Sequence, residues 1–331
     1  MTSPSDNDYD TCQPLSWHDT KHVIAFGDSY TFVQGTHGHP KYSFIGSYLP
    51  DAFGFTPERL LANRICQESS SPNSRGPNWI EYLTGCAVED GLHSPLDSKV
   101  QLWDFAFAGA NTTEALLPLH HPFTTSLVNQ TQQFLQYGDS VLRKHAGLDP
   151  SNALVAIWIG INDVIDAHLL NKTSPEFYAE IINAIFGQSV LPLVDAGYKN
   201  FLLLNVPPLD QSPLNKMQFQ GQLDATLIDT WNNELQAQAS VFSDMHQGIR
   251  TIVFDTNTVL NRTLKEPSEY GIKNTKESFD AMEQRPQAVK DVSTIDSLSA
   301  SDYFWFDSAH IGTKAHKALA NAVGKFLHDG F

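Results

Sequence analysis

The sequence predicts an α/β protein of three layers, α/β/α, built on a five-stranded parallel sheet. Three observations lead there. Short β-branched or apolar runs recur along the 331 residues, longer stretches with apolar residues at helical intervals separate them, and the chemically distinctive motifs lie just past the ends of the runs.

Taken in order, the runs are residues 22–26 (HVIAF), 100–105, 154–159 (LVAIWI), 201–206 and 251–254. The third is the most apolar, as expected of a strand buried on both faces at the centre of a parallel sheet. Residues 122–145 and 175–196 carry apolar side chains at helical spacing, among them Ile181, Ile182, Ile185, Phe186 and Leu193. Residues 218–245 read as one long helix, and 313–326 as the last. A short helix is expected at 79–83. The chain reads as a polar N-terminal extension (1–20) followed by a single domain (21–331) with insertions at about 36–98 and 265–300. The first insertion, rich in Gly, Pro and Ser, is placed to shape a cleft; the second reads as a surface loop.

Composition narrows the function classes. Hydrophobic residues make up 41% and charged residues 18%, a balance that fills a core. The net charge of −16 and the lack of a basic cluster argue against nucleic acid or an anionic membrane as partner. No apolar stretch was expected to reach the roughly 18 residues of a membrane span, so a soluble protein is expected. The first twenty residues lack the basic start and apolar run of a signal peptide; as written the chain is expected in the cytoplasm, or outside the cell if a leader has been removed. Cys12, Cys66 and Cys86 form no zinc spacing; Cys66 and Cys86 are free to pair, leaving Cys12 over. Asn111, Asn129, Asn171 and Asn261 open glycosylation triplets, a pattern common by chance.

The first run ends in Gly27-Asp28-Ser29-Tyr30, which puts Ser29 at the carboxyl end of a strand, where ligands bind in open α/β sheets. The second runs into Phe107-Ala108-Gly109-Ala110-Asn111. Its glycine allows close backbone approach and leaves an N–H to donate, although a plain strand-to-helix turn has the same look. The third ends in Gly160-Ile161-Asn162-Asp163, adding a neutral amide at the same edge. Near the C-terminus, Asp307-Ser308-Ala309-His310 lets one loop carry a carboxylate and an imidazole. A serine hydroxyl needs such a base to become a nucleophile, and the tetrahedral intermediate needs donors for its oxyanion.

In this order FGDSY, FAFAGANT, WIGINDV and DSAHIGTKAH resemble the sequence blocks of the SGNH (GDSL) hydrolase family. GPNWIEYL at 76–83, LLLNVPPLDQSP at 202–213 and YFWFDSAH at 303–310 are similar to its fungal acetylesterase and GDSL lipase-like branch, akin to carbohydrate esterase family 16. The resemblance implies the flavodoxin-like SGNH fold. It implies Ser29 as nucleophile, His310 as base and Asp307 as its orienter, with Ser29, Gly109 and Asn162 forming the oxyanion hole. It implies no cofactor and no metal. Tyr30, in place of the leucine of the family's name, is expected to leave the chemistry untouched. Asp104, where relatives often carry Asn, and Asn111, where small residues are usual, depart from the pattern and blur the substrate. No G-x-S-x-G elbow occurs.

Other features read as structural. His37 and His39 lack a third metal ligand, Asp163 is expected to hold the Asn162 loop, His316 to lie at the surface or in packing, and Pro207-Pro208 to fix the exit of the fourth strand. The function expected is a serine esterase that removes short acyl groups, acetyl above all, from carbohydrate-like or natural-product alcohols through an acyl-enzyme. Alternatives are a lipase for long acyl chains, an acyltransferase using the same intermediate, and a catalytically inactive binding protein. The partner is then a small-molecule or carbohydrate ester, with no nucleic acid, no transmembrane segment and an oligomeric state left open.

Overall fold

A computed structural model describes residues 15–35, 42–47, 54–66, 76–283 and 298–330. The five expected runs form one parallel sheet from β1 (His22–Gly27), β2 (Gln101–Asp104), β3 (Leu154–Trp158), β4 (Asn200–Leu204) and β5 (Arg250–Phe254), in the order β2-β1-β3-β4-β5. The most apolar run is the central strand. Every residue of β1, β3 and β4 is buried, which requires cover on both faces.

Helices supply that cover. On one side α1 (Trp79–Thr84) packs on α7 (Thr313–Gly330), which also meets α6 (Thr256–Lys265); on the other α2 (Leu127–Gln133) lies against Ile185–Val190, and α4 (Pro175–Ala184) against α5 (Ala225–Met245). Local chemistry starts them. Asn78 caps α1 in a full capping box with Glu81, Ser174 caps α4 ahead of Pro175, and Asp224 caps α5. The α3 helix (Ile161–Leu169) begins at Gly160, in left-handed backbone at φ +117°.

Several expectations change. The helix expected over 218–245 starts only at Ala225, because Gln220 and Gly221 take positive φ and the Asn215 side chain accepts from and donates to Leu223, closing a loop there. In the second insertion Asn274–Ser278 pairs in parallel with Tyr303–Trp305, so this part is strand rather than loop; residues 284–297 lie outside the described residues. Leu15, in the expected polar extension, is buried in the core. Pro175–Asp195 is, by length and composition, apolar enough to span a membrane, contrary to expectation. Half of its apolar window is buried, with Tyr178, Ile181, Ile182, Ile185 and Leu193 inside the core. Cys86 is a buried free thiol rather than half of a disulfide. Asn111 is fully buried and its amide donates to Pro118 and Asp166, so its glycosylation triplet is closed off in the folded chain. His37, His39 and Cys12 lie outside the described residues.

One buried polar side chain in α2 fixes the end of β1. Gln130 accepts the Gly27 N–H at 2.9 Å and donates back to the Gly27 carbonyl at 2.8 Å and to Thr125 O at 2.8 Å. Replacing Gln130 by Met, similar in size but without these groups, strands buried backbone. It is expected to cost roughly 2–4 kcal/mol, read as a lower urea midpoint at unchanged slope; a midpoint equal to that of the parent would rule out the clamp.

Candidate active site

Ser29, Gly109 and Asn162 follow β1, β2 and β3, three adjacent strands, and so gather at one edge of the sheet. Gly27, at φ +143°, makes the turn to Ser29 possible: a Cβ there would lie 2.0 Å from the Trp158 carbonyl oxygen. Asp28 then donates its N–H to Trp158 O and takes the Tyr30 N–H on Oδ1 at 2.9 Å, fixing a tight turn with Ser29 at its tip.

The fourth part arrives from the far end of the chain. Trp305 bridges Ile311, Phe306 N–H donates to His310 O, and Gly312 N–H donates to Phe304 O, so residues 306–310 are a closed loop. Within it Asp307 Oδ1 accepts the backbone N–H groups of Ala309 and His310 at 2.9 and 2.8 Å. The same carboxylate meets His310 Nδ1 at 2.9 and 2.8 Å, and His310 Nε2 lies 2.7 Å from Ser29 Oγ. The spacing of three thus lets one carboxylate cap its own loop and hold the imidazole. Because an ionised carboxylate only accepts, Nδ1 carries the hydrogen and Nε2 is left to accept from the serine. Burial alone raises an acid's pKa, but the adjacent His310 and the hydrogen bonds it receives outweigh this and hold Asp307 below the usual carboxylate range.

The groups expected at the oxyanion are held by α3. Asn162 donates Nδ2 to Ala110 O at 2.9 Å, and both oxygens of Asp163 accept Thr112 N–H, at 3.0 and 3.2 Å. Asp163 therefore ties the Gly109 loop to the helix that carries Asn162, rather than bonding the Asn162 loop itself. Asp166, one turn on, accepts Asn111 Nδ2 and His120 Nε2 on a single oxygen at 2.9 and 2.8 Å. Gly109 sits in left-handed backbone at φ +78°. Among the described residues the N–H groups of Ser29 and Gly109 engage no protein acceptor. Asp104 serves locally, accepting Ala106 N–H at 2.9 Å. His316 is buried against the Tyr30 ring, and burial depresses it to about 3, so it stays neutral.

Four participants were missed in the sequence. Gln130, Asp166 and His120 carry no local motif, although Asp166 stands four residues after Asn162 and so on the same helical face. Tyr30 is expected to leave the chemistry untouched, yet its buried hydroxyl donates to Ala309 O, joining the Ser29 turn to the histidine loop. Tyr30→Phe is expected to lower kcat about 3- to 10-fold, the worth of ~1 kcal/mol, with KM nearly unchanged; steady-state kinetics equal to the parent's would return Tyr30 to a packing role.

Burial pushes Asp28 and Asp163 up to about 7; bonds from Tyr30 and Thr112 respectively counteract it only in part. A carboxyl raised in the fold binds its proton more tightly there than in the unfolded chain. Its contribution to stability is complete below about pH 4 and is lost as pH rises through about 7. The melting temperature is therefore expected to decline from pH 5 to pH 8, and more gently in Asp28→Asn, which keeps an acceptor for Tyr30 N–H. Parallel melting curves for the two chains would exclude Asp28 as a source.

The sequence is similar to known proteins over most of its length. GDSL-like Lipase/Acylhydrolase is the family matched, over residues 23–323. An acetylesterase of Thermothelomyces thermophilus is 29% identical over 325 residues, 95% of this chain and 91% of that protein. The thermolabile hemolysin of Vibrio parahaemolyticus is 26% identical over 262 residues, 76% of this chain and 54% of that one. Among solved structures, an acetylxylan esterase of Geobacillus stearothermophilus aligns with TM-score 0.42 and 14% identity over 93% of this chain and 94% of its own. The chain belongs to the GDSL-like lipase/acylhydrolase family and is a carboxylic ester hydrolase.

Proposed function

We propose that this hydrolase works through an acyl-enzyme on Ser29 and acts on short acyl esters, acetyl above all, of carbohydrate-like or natural-product alcohols. The observation that carries the mechanism is the unbroken line from Asp307 through His310 to Ser29, with 2.8 and 2.7 Å contacts on the two imidazole nitrogens. Ser29 Oγ attacks the ester carbonyl while its proton passes to His310 Nε2. The negative oxygen is received by Ser29 N–H, Gly109 N–H and the Asn162 amide. Collapse breaks the carbon–oxygen bond to the alcohol, which takes the proton from His310. Water then repeats the sequence on the acyl-serine and releases the acid.

Two observations favour a short acyl group. The chain is similar to an acetylesterase over 95% of its length. The Gly109 loop is also bordered by the partly exposed His120 and by Asp166, charged groups poorly matched to a long alkyl chain.

Hydrolysis of p-nitrophenyl esters from acetate to palmitate by the parent and by Ser29→Ala tests the reading. Cleavage restricted to short chains, reduced roughly 10⁴-fold or more by the substitution, is the expected result. Preference for palmitate would make the protein a lipase. Transfer to an added alcohol in preference to water would make it an acyltransferase, and activity surviving in Ser29→Ala would remove Ser29 as nucleophile.

A further inference from the structure

A second Asp–His pair borders the Gly109 loop, outside the mechanism just given. His120 Nε2 meets Asp166 Oδ2 at 2.8 Å, and Asp166 is itself held by the Asn111 amide. The Asp166 side chain is only 12% exposed whereas that of His120 is 34% exposed, so the carboxylate is the fixed partner and the imidazole the one at the surface of the site. With Nε2 committed, Nδ1 is the only nitrogen left to act. It packs along the glycine expected to carry an oxyanion donor: a Cβ built on Gly109 would lie 3.2 Å from His120 Nδ1, 3.4 Å from its Cβ and 3.5 Å from its Cγ. No side chain intervenes because Gly109 has none.

The chemistry of that nitrogen depends on a single proton. In the imidazolium form Nε2–H stays on Asp166 and Nδ1–H points a donor and positive charge toward Gly109. In the neutral form the carboxylate keeps the hydrogen on Nε2, because an ionised acid can only accept, and Nδ1 turns a lone pair toward the same place. The first supports an oxygen gaining negative charge; the second repels it. The Asp166–His120 pair is neutral overall, but its positive end faces the site.

The surroundings favour the charged form. Hydrogen bonding to Asp166 raises the His120 pKa against the opposing effect of burial, and the charges of Asp166, Asp163 and Asp28 add to the rise. These acids face His120 from two elements, Asp163 and Asp166 on α3 and Asp28 in the turn after β1. On its own segment the neighbour is His121, which stacks on Phe123 at 4.9 Å.

We propose that protonated His120, oriented by Asp166, is a further positive donor on the oxyanion side of the site, and that loss of its proton lowers the esterase rate at alkaline pH. The inference rests on the Ser29 acyl-enzyme reading. The sign follows from the two forms: the contribution is present below the titration of His120 and disappears above it. Loss of the proton from His310 has the opposite effect, since only its neutral form accepts from Ser29. Together the two histidines give a rate profile that rises and then falls.

The test is the pH dependence of kcat and of KM for short-chain p-nitrophenyl ester hydrolysis by the parent and by His120→Gln. Glutamine keeps an amide donor for Asp166 but carries no titrating charge. The expected result is an alkaline limb in the parent that vanishes in His120→Gln, with kcat at the optimum on the order of 10-fold lower and KM nearly unchanged, less than the loss of a full oxyanion donor. An alkaline limb that persists in His120→Gln, or an effect on KM alone, overturns the proposal. Should that variant fail to fold, ¹⁵N-histidine NMR of the parent decides: His120 must titrate at the midpoint of the alkaline limb, and a different midpoint overturns it. Ser29→Ala separates the two readings. Activity remaining in Ser29→Ala defeats the nucleophile assignment, whereas an inactive Ser29→Ala beside an unaltered His120→Gln defeats only the role of His120.

Discussion

The backbone of Gly27 is the point on which the site depends. Its carbonyl accepts from both Phe107 N–H, in the segment leading to Gly109, and Gln130 Nε2; its N–H is taken by Gln130 Oε1. It passes so close to the Trp158 carbonyl that no side chain is tolerated. One residue therefore joins the exits of β1, β2 and β3 to a helix behind the sheet. Because these groups are buried and fully paired, the turn holding Ser29 cannot move relative to the Gly109 loop without breaking several hydrogen bonds at once.

The second constraint is the first half of α3. Asn162, Asp163 and Asp166 each bond the segment that begins at Gly109, through Ala110, Thr112 and Asn111. The helix starts where it does because Gly160 adopts left-handed backbone with the Trp231 indole packed on it, a Cβ there falling 2.5 Å from the ring. Two of the three expected oxyanion groups are thereby set by one rigid element, the arrangement that preorganised electrostatic stabilisation needs. The histidine loop is joined instead to the Ser29 turn, through Tyr30 and Ala309.

How much of this was legible follows from the range of each interaction. The strands were readable because burial on both faces leaves continuous apolar runs; Ser29, Gly109 and Asn162 stand in compact motifs at the exits of three of them, and Asp307 and His310 in one compact motif near the C-terminus. Gln130 bonds Gly27 across 103 residues, His120 meets Asp166 across 46, and Tyr30 reaches Ala309 across 279. No local spacing encodes such pairs; they exist only once the sheet has brought its strand ends together. The long helix was started too early for a related reason. Residues 218–224 have helical composition, but a loop closed by the Asn215 side chain prevails over propensity. The apolar run Pro175–Asp195 shows the reverse: a pattern strong enough for a membrane span is used to cover a sheet.

Charge explains how so many acids can crowd a site proposed to stabilise an anion. Asp28 and Asp163 are fully buried, and burial pushes both up to about 7, so below that pH they set little charge against a developing oxyanion, and above it their charges help to hold the proton on His120. Asp307 stays ionised, but its charge faces the far nitrogen of His310, where under the proposed mechanism it stabilises the imidazolium formed during attack. Asp166 is the remaining acid, and a bare carboxylate in its position would oppose catalysis. Pairing it with His120 cancels that charge and turns the positive end of the pair toward Gly109. Below about pH 7 two acids are thus neutralised by burial while two are each paired with a histidine, and the field around Ser29 is set by which protons these groups hold.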